Sequence, residues 1–380
     1  MRIKIIGGGS AGLYLAFLLK RRRPDYEIEL FEQNQADTTF GFGIAFSERA
    51  LEFLKRADPE TYAAMAPSLE NWSDGIIVLN GEPIRIDGIG YAGIGRLRLL
   101  EILQARAQAV GIVPRFGSRV ETLEDFGDTD LIVGADGANS IVRKGRDFGT
   151  TLEHFTNRFA WYGTPKRFEA LGHSFIETPQ GHFNAHHHRH APGMSTFVVE
   201  VNEATFNACG FARMSLEEAQ AMCAKIFAGT LGGAPLISNN SIWRQFPKLS
   251  TQRWSSGNCV LIGDALHSAH FSIGSGTRLA MEDAIALANA ILQHPSDLPA
   301  ALIAYEAARK PVVEKLVQAA NASAEWYEHF AEHMRSPPLD FAYSYITRSG
   351  RIDLERLRTT SPEFVAAYQA RGSTKPRSQV

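Results

Sequence analysis

Two turns rich in glycine, each entered from a short apolar strand and left by a helix, stand near opposite ends of this chain. One is Val260-Leu-Ile-Gly-Asp-Ala-Leu-His267, running on through Gly274-Ser-Gly276 to Glu282-Asp283-Ala284; the other is Arg2-Ile-Lys-Ile-Ile6 leading into Gly7-Gly-Gly9-Ser-Ala-Gly12. Alone, either fits any α/β crossover. As phosphate- or ribose-type turns separated by most of the chain, they point to one long cofactor held at both ends. Flavin adenine dinucleotide (FAD) is the candidate that matches.

Leu13, Ala16, Phe17 and Leu19 repeat at helical spacing over Ser10–Lys20, and Glu27-Ile-Glu-Leu-Phe-Glu32 alternates as a second strand, so the chain begins with a βαβ unit. Within it Gly7 makes the tight turn, Gly9 lets backbone approach a pyrophosphate, and Gly12 lets helix and strand pack closely. Glu32 closes the second strand 20 residues after Gly12, where an acid accepts hydrogen bonds from a ribose. Ser10 and Ala11 at the helix start, and Gln33 beside Glu32, join the expected cofactor set. At the other turn, Gly263 precedes Asp264, whose carboxylate can bond ribityl hydroxyls. Gly274 and Gly276 let a loop pass under an isoalloxazine ring. The helix they open aims its dipole at that ring, which stabilises a reduced, anionic flavin by about 1 kcal/mol.

Glu48–Ala57 reads as helix, Ile76–Gly90 as a β-hairpin turning at Asn80-Gly81, and Arg96–Ala109 as helix. Gly117–Leu123, which contains Val120, reads as a strand. Asp130-Leu-Ile-Val-Gly-Ala-Asp136-Gly137 is a buried strand closing on an Asp-Gly turn. Residues 155–247 alternate apolar and polar side chains, notably over Gly181–His190 and Met194–Val201, which predicts an antiparallel sheet with one helix, Ser215–Gly229, packed on it. A strand at Asn258–Ile262, a helix Gly276–Leu292 and further helices over 298–334 follow. The expected class is therefore α/β: a Rossmann-like FAD-binding domain (1–75, 91–154 and 248–334) interleaved with an antiparallel β-sheet substrate domain (76–90 and 155–247). A helical C-terminal region and tail, 335–380, ends in residues expected to be disordered.

The 39 basic and 41 acidic residues nearly cancel, so no global field draws the protein to nucleic acid. No apolar run reaches the length of a membrane span. Cys209, Cys223 and Cys259 lack metal or redox spacing, and the N-terminus is a strand rather than a signal peptide. The expectation is a cytoplasmic monomer or homodimer that meets neither nucleic acid nor membrane. His186-His-His-Arg-His190 invites a metal, but in a strand only His186, His188 and His190 share a face, and no acid partner stands nearby; no metal is expected. His186 and His188 are instead candidates for the substrate pocket. Trp161-Tyr162 reads either as an aromatic wall or as core packing.

Gly7-x-Gly9-x-x-Gly12, Asp130–Arg143 and Gly263-Asp264-Ala-Leu-His267 together resemble the three motifs of the single-component (class A) FAD-dependent aromatic hydroxylases, the para-hydroxybenzoate hydroxylase class. The resemblance implies that Asp136 and Gly137 serve both FAD and a transient NADH or NADPH, that Arg96 lies against FAD, and that the loop Gly41–Ser47, with Gly43, runs beside the flavin. Narrower likeness, in Phe159–Thr164, Met194–Glu200, His270–Gly276 and Thr347–Arg351, is to the branch holding salicylyl-CoA and anthraniloyl-CoA hydroxylases and the violacein-pathway tryptophan-type hydroxylase. Two departures stand out. His270 and Phe271 replace the paired prolines usual after the GD motif, and the second, reductase half of the anthraniloyl-CoA enzymes is absent.

The chemistry implied is NAD(P)H reduction of FAD, addition of O2 at C4a, and attack of the distal hydroperoxide oxygen on an electron-rich aromatic ring. The substrate expected is an aryl-CoA thioester. The alternatives are an indole or tryptophan-derived ring and a non-catalytic flavin-binding module; a halogenase is disfavoured, since no Trp-x-Trp-x-Ile-Pro segment occurs. His270 is the candidate for substrate contact or proton handling, with a plain structural histidine as the competing reading. Phe271 and Ser272 are candidates for positioning at the flavin edge. Arg335, Arg348, Arg351, Arg356 and Arg358 either meet CoA phosphates or form a solvated face.

Overall fold

Strand Arg2–Ile6 lies inside the first sheet. It pairs in parallel with Glu27–Phe31 on one side and Leu131–Gly134 on the other; Cys259–Leu261 joins beyond, also parallel, and Ser255–Ser256 adds a short antiparallel edge. Because four strands point the same way, the turns that follow them collect at one edge of the sheet: Gly7–Gly9, Glu32, Ala135–Gly137 and Gly263-Asp264. Helix Ser10–Arg22 is buried continuously from Ala11 to Leu19 and packs against helix Gly276–Gln293 in the main core. This computed structural model describes residues 1–371, so the disorder expected at the chain end lies outside the described residues.

The second sheet has eight strands. Along its path run Ile237–Ser238, Thr150–Thr164, Met194–Val201, Gly181–Ala191, Leu171–Thr178, Gly75–Leu79 and Glu82–Ile86, with Arg244–Thr251 paired to the remaining length of Thr150–Thr164. It is antiparallel except where Leu171–Phe175 runs parallel to Gly75–Leu79. That hairpin arrives from strand Glu70–Trp72, outside this sheet, and no tight turn forces it to oppose its neighbour. Asn80 (φ 50°) and Gly81 (φ 91°) supply the two left-handed residues that a type I′ turn requires.

The helices fall close to expectation, at Arg96–Ala109, Leu216–Ile226 and Gly276–Gln293. The strand expected over Gly117–Leu123 is not formed. The chain there is tied to the sheet edge just before and at its start, by Arg115 N donating to Leu30 O and Ser118 N to Glu32 O, both at 2.8 Å. His186 through His190 are all buried. Helices Glu203–Cys209 and Leu216–Ile226 cover one side of their sheet, while a small sheet of Gly43–Ser47, Tyr91–Gly95 and Glu70–Trp72 leans on the other. The 31-residue helix Leu298–Glu328 starts in the main core with Ala301 and Tyr305. It ends in another core, where Trp326 and Tyr327 meet the Gly75–Ile86 hairpin, helix Pro338–Thr347 and helix Pro362–Ala370. No helix among the described residues is long and apolar enough to cross a membrane.

Candidate active site

The four turns open into one cavity of about 750 Å³ that continues to the histidines of the second sheet. Every residue expected at the cofactor lines it except Gly12 and Gly263. Phe271, Ser272, Trp161, His186 and His188 line it too; His270 does not.

At the dinucleotide end, Gly7 has φ +109°, and a Cβ there would stand 2.1 Å from the Ala135 carbonyl oxygen. A Cβ on Gly12 would stand 2.0 Å from Gly7 O, whereas one on Gly9 would meet nothing within 4 Å. The first two glycines close the turn, and the third faces open space. Gly8 N donates to Glu32 Oε2 at 2.8 Å and Asn34 N to Oε1 at 2.8 Å, which fixes the carboxylate at the rim. Helices Ser10–Arg22 and Gly276–Gln293 both begin without a side-chain cap or an acid in the first turn, leaving their N–H groups for an anion. Arg96 lines the same space; its backbone N donates to Phe42 O at 2.8 Å, and its guanidinium has no hydrogen bond or ion pair among the described residues. Burial lowers its pKa and the Asp264 carboxylate, farther off, raises it. An unpaired guanidinium lining one cavity with two uncapped helix starts suits a pyrophosphate, so the residues present fit FAD.

Three buried contacts behind these turns were not anticipated as a unit. Arg143 Nη1 donates to Ala265 O at 2.7 Å and Nη2 to Ala138 O, tying together the turns of neighbouring strands. Asp283 accepts from His267 Nε2 at 2.7 Å, Gly263 N at 3.1 Å and Arg309 Nη2 at 3.0 Å, and so clamps the GD turn from below. Asp136 Oδ2 accepts from Ile141 N at 2.7 Å while Oδ1 is buried without a partner, and burial raises its pKa. The signal for the first two lay in the motifs themselves, as the arginine ending Asp130–Arg143 and the acid pair Glu282-Asp283.

At the other end the wall is aromatic. Phe271 meets Phe159 at 4.9 Å and His186 at 5.2 Å between ring centroids, with Phe246 and Trp161 slightly farther. His270 stands behind it: its ring stacks on Phe271 at 4.2 Å and its Nδ1 bonds Ser272 Oγ at 2.8 Å. Burial pushes its pKa down to about 3, so it is a neutral support one layer from the cavity. Ser272 Oγ continues to Ser323 Oγ at 2.7 Å, which accepts from Arg348 Nε at 2.9 Å. Arg348 also donates to Ser272 O (2.7 Å) and Tyr345 O (2.6 Å) and lies 3.9 Å from the Tyr345 ring centre. It props the flavin-side loop with all three of its nitrogens engaged. Arg351 is exposed, between the influence of Tyr91 on the cavity wall and of Arg278 and Arg356.

His186 and His188 face the cavity, while His187 is turned to the opposite side, between Phe168 and Phe197 and bonded to Ser174 Oγ at 3.0 Å. Burial holds His186 well below the usual histidine range and takes His187 and His188 to about 3. Among the described residues no group of three or more His, Cys, Asp or Glu is placed to hold a metal ion.

Residues 1–320 match the family described as FAD binding domain. The salicyloyl-CoA 5-hydroxylase of a Streptomyces species is 40% identical over 92% of this chain and 70% of its own length. The 3-hydroxy-4-methyl-anthranilyl-(aryl-carrier protein) 5-monooxygenase of Streptosporangium sibiricum is 36% identical over 94% of this chain and 97% of its own. For the protodeoxyviolaceinate monooxygenase of Chromobacterium violaceum the figures are 33%, 92% and 94%. Among solved structures, 2-methyl-3-hydroxypyridine-5-carboxylic acid oxygenase shares the fold, with a TM-score of 0.72 at 18% identity over 92% of this chain and 95% of its own.

Proposed function

The chain belongs to the FAD-dependent aromatic hydroxylases, and from that premise we propose that it hydroxylates an electron-rich ring carried as an aryl-CoA thioester, with NADH or NADPH supplying electrons. The observation that carries the substrate class is the lack of a free buried charge at the aromatic end. The guanidinium enclosed there, Arg348, is committed to Ser272, Ser323 and Tyr345, while Arg244, opposite Phe159 on the paired strand, is exposed. The histidines on the wall are neutral. A free benzoate would bury its carboxylate unpaired; a thioester carbonyl carries no such penalty. Two of the relatives are named for aryl groups joined to CoA or to a carrier protein, which supports the same reading.

Bound FAD supplies the redox chemistry that transfers one atom of O2 to the ring. The chain's own residues hold and shield. Gly7, Gly9, Ser10, Ala11 and Arg96 receive the pyrophosphate and Glu32 the ribose, while Gln33, Val120 and Gly43 line the cofactor's path. Asp264 meets the ribityl chain, and Gly274 and Gly276 leave room for the ring. Asp136 and Gly137 stand where a nicotinamide dinucleotide can dock in passing. Phe159, Trp161, Phe246 and Phe271 orient the aromatic and exclude water. Arg351, beside Tyr91 at the wall, is the phosphate contact for the CoA tail, a role Arg348 does not share.

Oxidation of NADH and NADPH by the FAD-loaded protein, against salicyloyl-, anthraniloyl- and 4-hydroxybenzoyl-CoA, their free acids and tryptophan, with product masses, tests this. Stimulation by a thioester with a product one oxygen heavier is the expected result. Stimulation only by free acids or by an indole sinks the thioester reading. An indole-derived substrate is the second reading, favoured by the uncharged aromatic wall and the likeness to the violaceinate enzyme.

A further inference from the structure

Glu200 interrupts an apolar run, Phe197-Val-Val-Glu-Val201, and is 2% exposed. Asn157 Nδ2 donates to its Oε1 at 2.9 Å, while Oε2 is buried without a partner. On the neighbouring strand His186 lines the cavity, and its Nε2, also buried without a partner, stands 3.8 Å from Glu200 Oε2. Two orphaned atoms about 1 Å beyond hydrogen-bond length are best reconciled if one donates and the other accepts.

Charge decides which. The pair is faced by Glu328 and Arg348, by His173 and His188 from the sheet, with His187 on its far side, by His270, and by the phenols of Tyr327 and Tyr345. Burial and then Glu328 raise the Glu200 carboxyl to about 8, against the opposing pull of Asn157 and Arg348. Burial first, then Arg348 and the other histidines, keeps His186 uncharged. At neutral pH the two are a carboxylic acid and a neutral imidazole.

We propose that Glu200 donates its carboxyl proton in a hydrogen bond to His186 Nε2, fixing the tautomer whose Nδ1–H is presented to the cavity as donor to an acceptor oxygen on the aromatic substrate. Glu200 is a positioning residue: it touches no substrate, yet it determines that this wall offers a donor. The inference rests on the reading that the cavity takes an uncharged aromatic.

The test compares FAD-loaded wild type with Glu200→Gln, which keeps a donor for Nε2, and Glu200→Leu, which removes it. In ¹⁵N-histidine-labelled protein, with the His186 signal assigned by its loss in His186→Phe, wild type and Glu200→Gln should show a neutral ring protonated at Nδ1 at pH 7. Glu200→Leu should lose that preference. KM for the thioester should rise about fivefold to tenfold in Glu200→Leu with kcat little changed, and stay near wild type in Glu200→Gln. Wild-type KM should climb above pH 8 as Glu200 ionises, a limb missing in Glu200→Gln. A wild-type His186 protonated at Nε2 or at both nitrogens, or a Glu200→Gln as impaired as Glu200→Leu, overturns the proposal. If no aromatic is turned over, the substrate reading fails on its own, and the tautomer is still decided by the spectrum.

Discussion

Arg348 and Arg351 stand three positions apart in a polar stretch, and nothing in their neighbours' chemistry separates them in the sequence. The fold does, because helix Pro338–Thr347 delivers Arg348 under the His270–Ser272 loop and leaves Arg351 outside. Arg348→Met strands three acceptors in a buried site and should lower unfolding free energy by about 3 kcal/mol in denaturant titrations. Arg351→Ala should leave stability unchanged but raise KM for the thioester, and the rise should fade at high salt. Equal KM in wild type and Arg351→Ala at low salt would remove Arg351 from the CoA site. For Arg96→Met the expected outcome is at least tenfold weaker FAD binding by flavin fluorescence, since the cavity would lose a guanidinium that no protein acid pairs among the described residues.

The strand Gly181–Ala191 makes the same point for an element. Its alternation was legible, so the split of His186 and His188 from His187 follows from strand period alone. Its burial on both sides was not, because covering layers come from residues far away in the chain. Nor was the meeting of His186 with Glu200: His186 pairs with Val198, which sets Glu200 on the diagonal, and register is invisible in one sequence. The buried histidines have a measurable consequence. His187, His188 and His270 fall to about 3 and His190 to about 4, while in the unfolded chain each titrates near 6.5. Below that value the unfolded chain binds protons that the fold refuses, so stability is complete above about pH 6.5 and lost as pH falls toward 4. The melting temperature should drop steeply over that window, less so in His187→Phe, which keeps the packing between Phe168 and Phe197. Glu200 works in the opposite sense. Its folded value, about 8, lies above the usual 4.5, so the fold's advantage shrinks as pH rises between them, and Glu200→Gln should gain on wild type across that range.

For the whole molecule, the parallel sheet and its four turns were legible because glycine and acid positions report backbone geometry directly. The aromatic end was less so, since its wall is drawn from the second sheet, the GD loop and the C-terminal helices at once. FAD that binds only the folded chain should raise stability by about 2.7 kcal/mol at a hundredfold excess over its Kd, seen as a shift in melting temperature. The sheet order has another effect, in time. Helix Ser10–Arg22 hides part of its apolar surface against Arg96–Ala109 and the larger part against Gly276–Gln293, and strand Cys259–Leu261 completes the sheet beside Leu131–Gly134. At ribosomal rates of about 5–20 residues per second, roughly 10–50 s separate the synthesis of that first helix from the arrival of its cover. Protease should therefore cut within the first helix of nascent chains arrested near residue 240 and spare it in released protein. Part of the opening helix's apolar surface thus waits uncovered until the far end of the message has been read.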